Sequence, residues 1–221
     1  LFELAVLENG ALLYTPRTRE EKPLCPSPDA AFVELLRAKG VQPLSVGRTI
    51  VATWEPHQAA CLEAINALGL ELEIIFNKGA VMILPSGINK ATGLAAALEQ
   101  LKLSPLNVIG IGDAENDHAM LRYVGCGVAV ANAIPAVKET ADLTTEGDHG
   151  AGVAEVIAAL GESEERFLVA DRHSVELGRD AEDQTVRLSP AGGPVLVAGS
   201  SGIGKSTLAT ALSERFVEKG H

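Results

Sequence analysis

The stretch NVIGIGDAENDHAM, residues 107–120, decides the fold. Its first half is apolar without alternation, the pattern of a strand buried on both faces of a parallel sheet. Gly112 closes the run, Asp113 sits at the strand's carboxyl tip, and Asp117 follows at the start of a helix predicted over 115–124. In open α/β sheets ligands bind outside the carboxyl ends of strands. The two carboxylates, with Asn116 between them, can therefore face one point. Such a set suits a hard cation that keeps several waters, namely Mg²⁺. The competing reading is that both carboxylates only cap the helix.

Outward from this stretch, short β-like runs alternate with helical patterns. Strands are predicted at 2–7, 49–54, 70–76, 80–84, 107–112 and 127–131, and helices at 29–39, 56–68, 90–102, 115–124, 134–141 and 151–160. The alternation argues for an α/β fold with a largely parallel sheet. Lys90 opens one of these helices just after a loop. An ammonium there can neutralise a phosphoryl group and a carboxylate nucleophile as charge builds. Met82 and Trp54 read as core, His118 as packed or solvated, and His57, His149, His173 and His221 show no metal-ligand spacing. Ser174 and Ser189 lack the context of an activated nucleophile.

Composition narrows the function. With 18 Lys plus Arg against 29 Asp plus Glu, the net charge is −11, which argues against a nucleic-acid partner. Aromatic residues make up 4%, too few for a base-stacking platform. Cys25, Cys61 and Cys126 are odd in number and form no CxxC, so buried, reduced thiols and a cytoplasmic setting are expected. No apolar run is long enough to span a membrane, and the opening LFELAVLENG carries Glu3 and Glu8 instead of a basic leader.

Beyond residue 160 the character changes. Residues 161–193 open acidic and read as a linker, with small hairpin strands expected at 166–170 and 184–188. Residues 194–221 read as an apolar strand, PVLVAG, then a Gly-rich loop and an amphipathic helix. The loop, GSSGIGKS at 199–206, fits G-x-x-x-x-G-K-[ST]. Gly199, Ser200, Ser201, Gly202, Ile203 and Gly204 would curl backbone N–H groups around phosphate oxygens. Lys205 would reach the β/γ-phosphates, and Ser206, followed by Thr207, would bind Mg²⁺. This pattern resembles the Walker A loop of P-loop NTPases and implies ATP as a ligand. It would be the first strand–loop–helix of such a domain.

Residues 1–160 resemble the haloacid dehalogenase (HAD) superfamily of phosphatases, and within it the IIB, or Cof-like, branch. The matching pieces are ENGA at 8–11, NKGAVMILPSGINKATGL at 77–94, GDAENDHAM at 112–120, VAVANAIPAVKETAD at 128–142 and GAGVAEVIAAL at 150–160. The resemblance implies a Rossmann-like parallel sheet with a small α/β cap at about 12–80. It also implies that Lys90 is the conserved catalytic lysine and Asp113 the Mg²⁺ ligand, with Asn116 and Asp117 supporting metal and phosphate. The substrate would be a small phosphorylated metabolite, with a sugar phosphate as the first expectation. The family's nucleophile is the first Asp of a DxD motif, and no DxD occurs in these 221 residues. The nucleophile, the motif II Ser/Thr and one or two βα units are expected upstream of Leu1. A sheet without its first strand would expose an edge and favour aggregation. Two alternatives remain open: a non-catalytic module that binds a phosphorylated metabolite and regulates a P-loop ATPase or kinase, and a protein whose main activity is that of the P-loop.

Overall fold

The computed structural model describes residues 2–169, 172, 174–189 and 195–218. Three short strands open the chain: β1 (Ala5–Leu7), β2 (Leu12–Thr15) and β3 (Glu20–Pro23), an antiparallel meander in sequence order. A tight turn at Glu8–Gly10 joins the first two, with Asn9 in the left-handed region.

Residues 30–85 build a unit with its own core. Helix α1 (Ala30–Ala38) and strands β4 (Ser45–Val46) and β5 (Val51–Trp54) precede helix α2 (Gln58–Leu68) and strands β6 (Leu72–Asn77) and β7 (Ala80–Pro85). The strands form an antiparallel sheet in the order β4-β5-β7-β6. Alternate residues on this sheet, Val51, Val81 and Ile83, meet Phe32, Val33 and Leu36 of α1 and Cys61, Ala64 and Ile65 of α2 in one buried cluster. The period-2 pattern on the strands and the 3.6-residue pattern on the helices thus close on each other. Asp29 starts α1 by accepting the backbone N–H groups of Ala31 and Phe32 at 2.7 and 3.1 Å. Gly69 ends α2 at φ 62°, a left-handed position that a side chain would strain. Trp54, expected in the core, is 53% exposed: Val51 faces the two helices and Thr53 shares its face, so Trp54 lies on the other face of the sheet.

The second unit runs α3 (Lys90–Leu101), β8 (Ile109–Gly112), α4 (His118–Tyr123), β9 (Cys126–Ala129), α5 (Pro135–Thr140), β10 (Leu143–Thr144) and α6 (His149–Glu162). Its strands form a parallel sheet in the order β10-β9-β8, with Gly112 beside Ala129 and Leu143 beside Val128. Both faces of β9 are buried. Cys126 and Val128 pack with Val156 and Ala159 of α6, while Ala129 packs with Leu121, Ala133 and Val137. This explains the apolar run without alternation. Among the described residues, β8 pairs on one side only.

The region read as a linker begins by packing on this unit. Phe167, where a strand was expected over 166–170, lies in a 3-10 turn and is buried with Cys126 and Val156. Arg172 donates to the carbonyls of Leu121 and Val124, at 2.8 and 2.5 Å, at the end of α4, and pairs with Asp142 at 2.9 Å. The hairpin strands are β11 (Val175–Arg179) and β12 (Thr185–Leu188), so the second of the two expected strands lies where the sequence placed it. Helix α7 (Lys205–Glu218) follows the Gly-rich loop, and Arg215 donates to the carbonyl of Glu176 in β11. The strand expected over 194–199 is absent from its described part, residues 195–199. Leu196 is 88% exposed, so no apolar layer covers that run among the described residues. Pro194, His173 and His221 lie outside the described residues.

Candidate active site

The site forms at the carboxyl end of β8. The chain leaves the strand through Gly112 and Asp113 and makes a 3-10 turn, Glu115–Asp117, before α4 begins at His118. The carboxylate of Asp117 folds back over the strand end. Its Oδ2 accepts the backbone N–H groups of Asp113 and Ala114 at 2.9 and 3.0 Å. Gly112 permits this, because a Cβ there would lie 2.6 Å from the Cβ of Asp117. Asp117 is 4% exposed, and its Oδ1 pairs with the Lys90 ammonium. A carboxylate buried to this degree needs a countercharge and donors on both oxygens, and it has them.

Lys90 is placed by its helix. It is the first residue of α3, after Asn89, whose side chain accepts from the N–H groups of Ala91 and Thr92 at 2.9 and 3.1 Å. The Thr92 hydroxyl accepts the Asn89 N–H in return at 2.9 Å, completing a capping box. The turn of β1–β2 presses against this end of α3. A Cβ on Gly10 would lie 1.9 Å from the Asn89 carbonyl oxygen, and one on Gly93 would lie 2.5 Å from the Cα of Gly10. Beside it, Asn116 donates through Nδ2 to Oδ1 of Asn9 at 2.9 Å, tying the ENGA turn to the acidic loop.

Asp113 projects the other way and is more accessible, with a side chain 29% exposed. Its Oδ2 accepts from the Lys78 ammonium at 2.6 Å, and Asn132 approaches at 3.5 Å. The Lys78 hydrogen bond is the main cause that holds the Asp113 carboxyl below its ordinary range, and the same bond raises Lys78. Lys78 comes from the other unit. Lys78 and Gly79 form the two-residue turn between β6 and β7, with φ of 48° and 87°, the all-positive pattern of a type I′ hairpin.

Three amide atoms in and beside this region are buried without a partner: Asn9 Nδ2, Asn116 Oδ1 and Asn77 Oδ1. An open hollow of about 410 Å³ lies against Asp113, lined by Ile111, Val130, His149 and Val153. Among the described residues, no three His, Cys, Asp or Glu side chains are grouped to enclose a metal. Asp113 offers a partly exposed carboxylate at the strand tip, and this fits Mg²⁺, which binds through one or two carboxylates and keeps waters and phosphate oxygens.

Of the residues singled out from the sequence, the fold brings Lys90, Asp113 and Asp117 together, with Asn116 adjoining. It does not bring the GSSGIGKS loop to them; among the described residues no hydrogen bond or ion pair joins the two. In that loop Lys205 Nζ donates to the carbonyls of Gly199 and Ser200 at 2.8 and 2.7 Å. Gly202 and Gly204 take φ of 82° and 96°. His118 bonds the Thr140 hydroxyl at 2.8 Å, a structural pairing. Sequence reasoning did not single out Lys78, Asn9 or Asn132. The available signal for Lys78 was the turn pattern NKGA between two apolar runs.

Comparison with known proteins agrees with this arrangement. Residues 50–157 match the haloacid dehalogenase-like hydrolase family. A phosphoglycolate phosphatase 2 of Saccharolobus solfataricus is 34% identical over 160 residues, 69% of this chain and 65% of that protein. A phosphoglycolate phosphatase of Methanopyrus kandleri is 32% identical over 166 residues, 70% of this chain and 71% of that protein. The chain thus spans about two thirds of the length of these relatives. A HAD subclass IIB sugar phosphatase of known structure superposes with a TM-score of 0.60 at 16% identity, covering 72% of this chain and 76% of that one. With a parallel sheet carrying Asp113 at its carboxyl edge, a lysine paired across from it, and relatives that match over most of both, the chain belongs to the haloacid dehalogenase-like hydrolases.

Proposed function

We propose that this chain is the greater part of a Mg²⁺-dependent phosphomonoesterase acting on a small phosphorylated metabolite. The observation that carries the reading is the Lys90–Asp117 pair set beside the accessible Asp113 at the tip of β8. In this reading Asp113 holds the ion, which would offset charge on the phosphoryl oxygens. Lys90 neutralises the phosphoryl group and the attacking carboxylate. Asp117, bonded on both oxygens, acts as a positioning residue for Lys90 and not as a direct metal ligand. Asn116 fastens the acidic loop to the ENGA turn. The nucleophilic aspartate is supplied by residues outside these 221, and the unit at 30–85 is the cap that selects the substrate. The names of the relatives make 2-phosphoglycolate the first substrate to try, with sugar phosphates next.

The same reading assigns the loop at 199–207 to the phosphates of ATP, on the strength of its glycines and of Lys205 folded over the loop carbonyls. Equilibrium binding of ATP to the full-length protein, with Lys205→Ala as control, tests this part separately.

The test of the phosphatase is Mg²⁺-dependent phosphate release by the full-length protein. Asp113→Ala is expected to lower kcat by about 100-fold or more, the scale seen when an electrostatic partner of the transition state is removed. Unchanged release would overturn the reading. The absence of DxD from these residues favours one alternative, a module that binds a phosphorylated metabolite without turnover. Metabolite binding with no phosphate release would establish it.

A further inference from the structure

We infer that Lys78 is a specificity residue, recognising a carboxylate carried by the leaving alcohol of the substrate. This rests on the phosphatase reading above and goes beyond it.

Two ammonium groups reach the tip of β8 from opposite units. Lys90, from the start of α3, is committed to the buried Asp117. Lys78, from the turn of the 30–85 unit, lies 2.6 Å from Asp113, and its side chain is 53% exposed. The turn that carries it is well held. Asn77 pairs with Ala80 across the hairpin, and Glu55 donates its N–H to the Gly79 carbonyl at 3.0 Å. Trp54 lies against Gly79, with ring carbons within 3.9 Å of where a Cβ would be. The backbone is therefore held, and the lysine side chain reaches from it half exposed.

A phosphoryl group at Asp113 and Lys90 would direct its leaving group toward whatever covers the site. Strand β6 packs against the 115–117 turn, so the β6–β7 hairpin is that cover. An ester of a neutral alcohol offers a second, partly exposed ammonium only uncharged acceptors there. An alcohol bearing a carboxylate offers more, because a charge-assisted hydrogen bond to Lys78 can replace the one to Asp113.

The experiment compares 2-phosphoglycolate with its neutral near-isostere 2-hydroxyethyl phosphate on the full-length protein. Calorimetric binding and steady-state kinetics are both measured, for wild type, Lys78→Gln and Lys78→Arg. Wild type is expected to favour the carboxylate by about tenfold or more in both readouts, and Lys78→Gln to erase about tenfold of that preference, mainly through KM. Lys78→Arg should restore part of it. If Lys78→Gln weakens both esters alike, Lys78 is a latch between the units and the inference fails. If neither ester turns over, the phosphatase reading falls and the inference falls with it. If both turn over and the preference ignores Lys78, only the inference falls.

Discussion

The unit at 30–85 and the unit at 90–162 solve the same packing problem differently. The first closes an antiparallel sheet against two helices in a single cluster around Phe32, Leu36 and Ile83. The second sandwiches a three-stranded parallel sheet between two smaller clusters, one around Val128 and Val156 and one around Leu121 and Val137. Its strand β8 has a neighbour on one side only among the described residues. The second unit also draws on distant chain, namely Phe167, Arg172 and the ENGA turn. The first is locally sufficient. The catalytic candidates sit on the unit that is not. Parallel strands need crossovers and buried faces, and the chemistry needs their carboxyl ends.

If the first unit is self-sufficient, damage to its core should stay within it. Phe32→Ala is expected to cost about 3–5 kcal/mol, the range for a fully buried aromatic. Trp54, the single tryptophan, sits at the end of β5 and reports on this unit by fluorescence. Hydrogen exchange in α3 and β9 should be unmoved at denaturant levels that melt the tryptophan signal. Loss of protection in both units together would erase the contrast.

The dependence of the second unit on distant chain can be broken at Arg172. Its guanidinium closes the carbonyl end of α4 and neutralises Asp142, whose side chain is only 16% exposed. Arg172→Ala should cost about 2–4 kcal/mol, because it leaves a largely buried carboxylate without its cation. Faster exchange confined to α4 and β9, measured by mass spectrometry, would sharpen the contrast. An unchanged melt would contradict it.

A smaller effect lies at the junction. Glu8 accepts from the N–H groups of Arg48 and Thr49 at 2.9 and 2.8 Å and from the Thr49 hydroxyl at 2.5 Å. Partial burial alone would push its carboxyl up, but these bonds outweigh it and hold the group below its ordinary value of 4.5. The folded state then binds fewer protons than the unfolded one. The stabilisation is complete above the ordinary value and is lost as pH falls through the lowered one. Glu8→Gln should cost about 1 kcal/mol at neutral pH and flatten the acid limb of a stability-against-pH curve. A parallel limb would show that Glu8 contributes nothing there.

The parallel sheet was legible because IGIG and CGVA lack the alternation that a half-buried strand requires. The meander β1–β3 was not, beyond its first strand: its strands have three or four residues, and Glu20–Pro23 is exposed throughout. Lys90, Asp113 and Asp117 could be read because a strand end and a helix start put them in place locally. Lys78 could not, since its partner lies 35 residues away on another unit, nor could the Asn9–Asn116 bond, which spans 107. Trp54 misled through its size. Hydrophobicity marks a residue as suited to burial but does not say which face of its sheet the helices cover. The Gly-rich loop shows the reverse. Its spacing is clear in the sequence, yet the run before it forms no strand among the described residues.

Among the described residues, the side-chain bonds that tie the 30–85 unit to its surroundings share one polarity. Glu8, Glu21 and Asp113 stand outside it as acceptors, and Arg48, Thr49 and Lys78 meet them from within as donors. All three anchors thus respond in the same direction to the medium. Acid removes the anions, and dissolved salt screens what remains at the more exposed points. Neither has comparable leverage on the apolar cluster behind the sheet. The solvent can therefore loosen the 30–85 unit at its junction without melting it, and ionic conditions become a dial on how firmly the two units hold together.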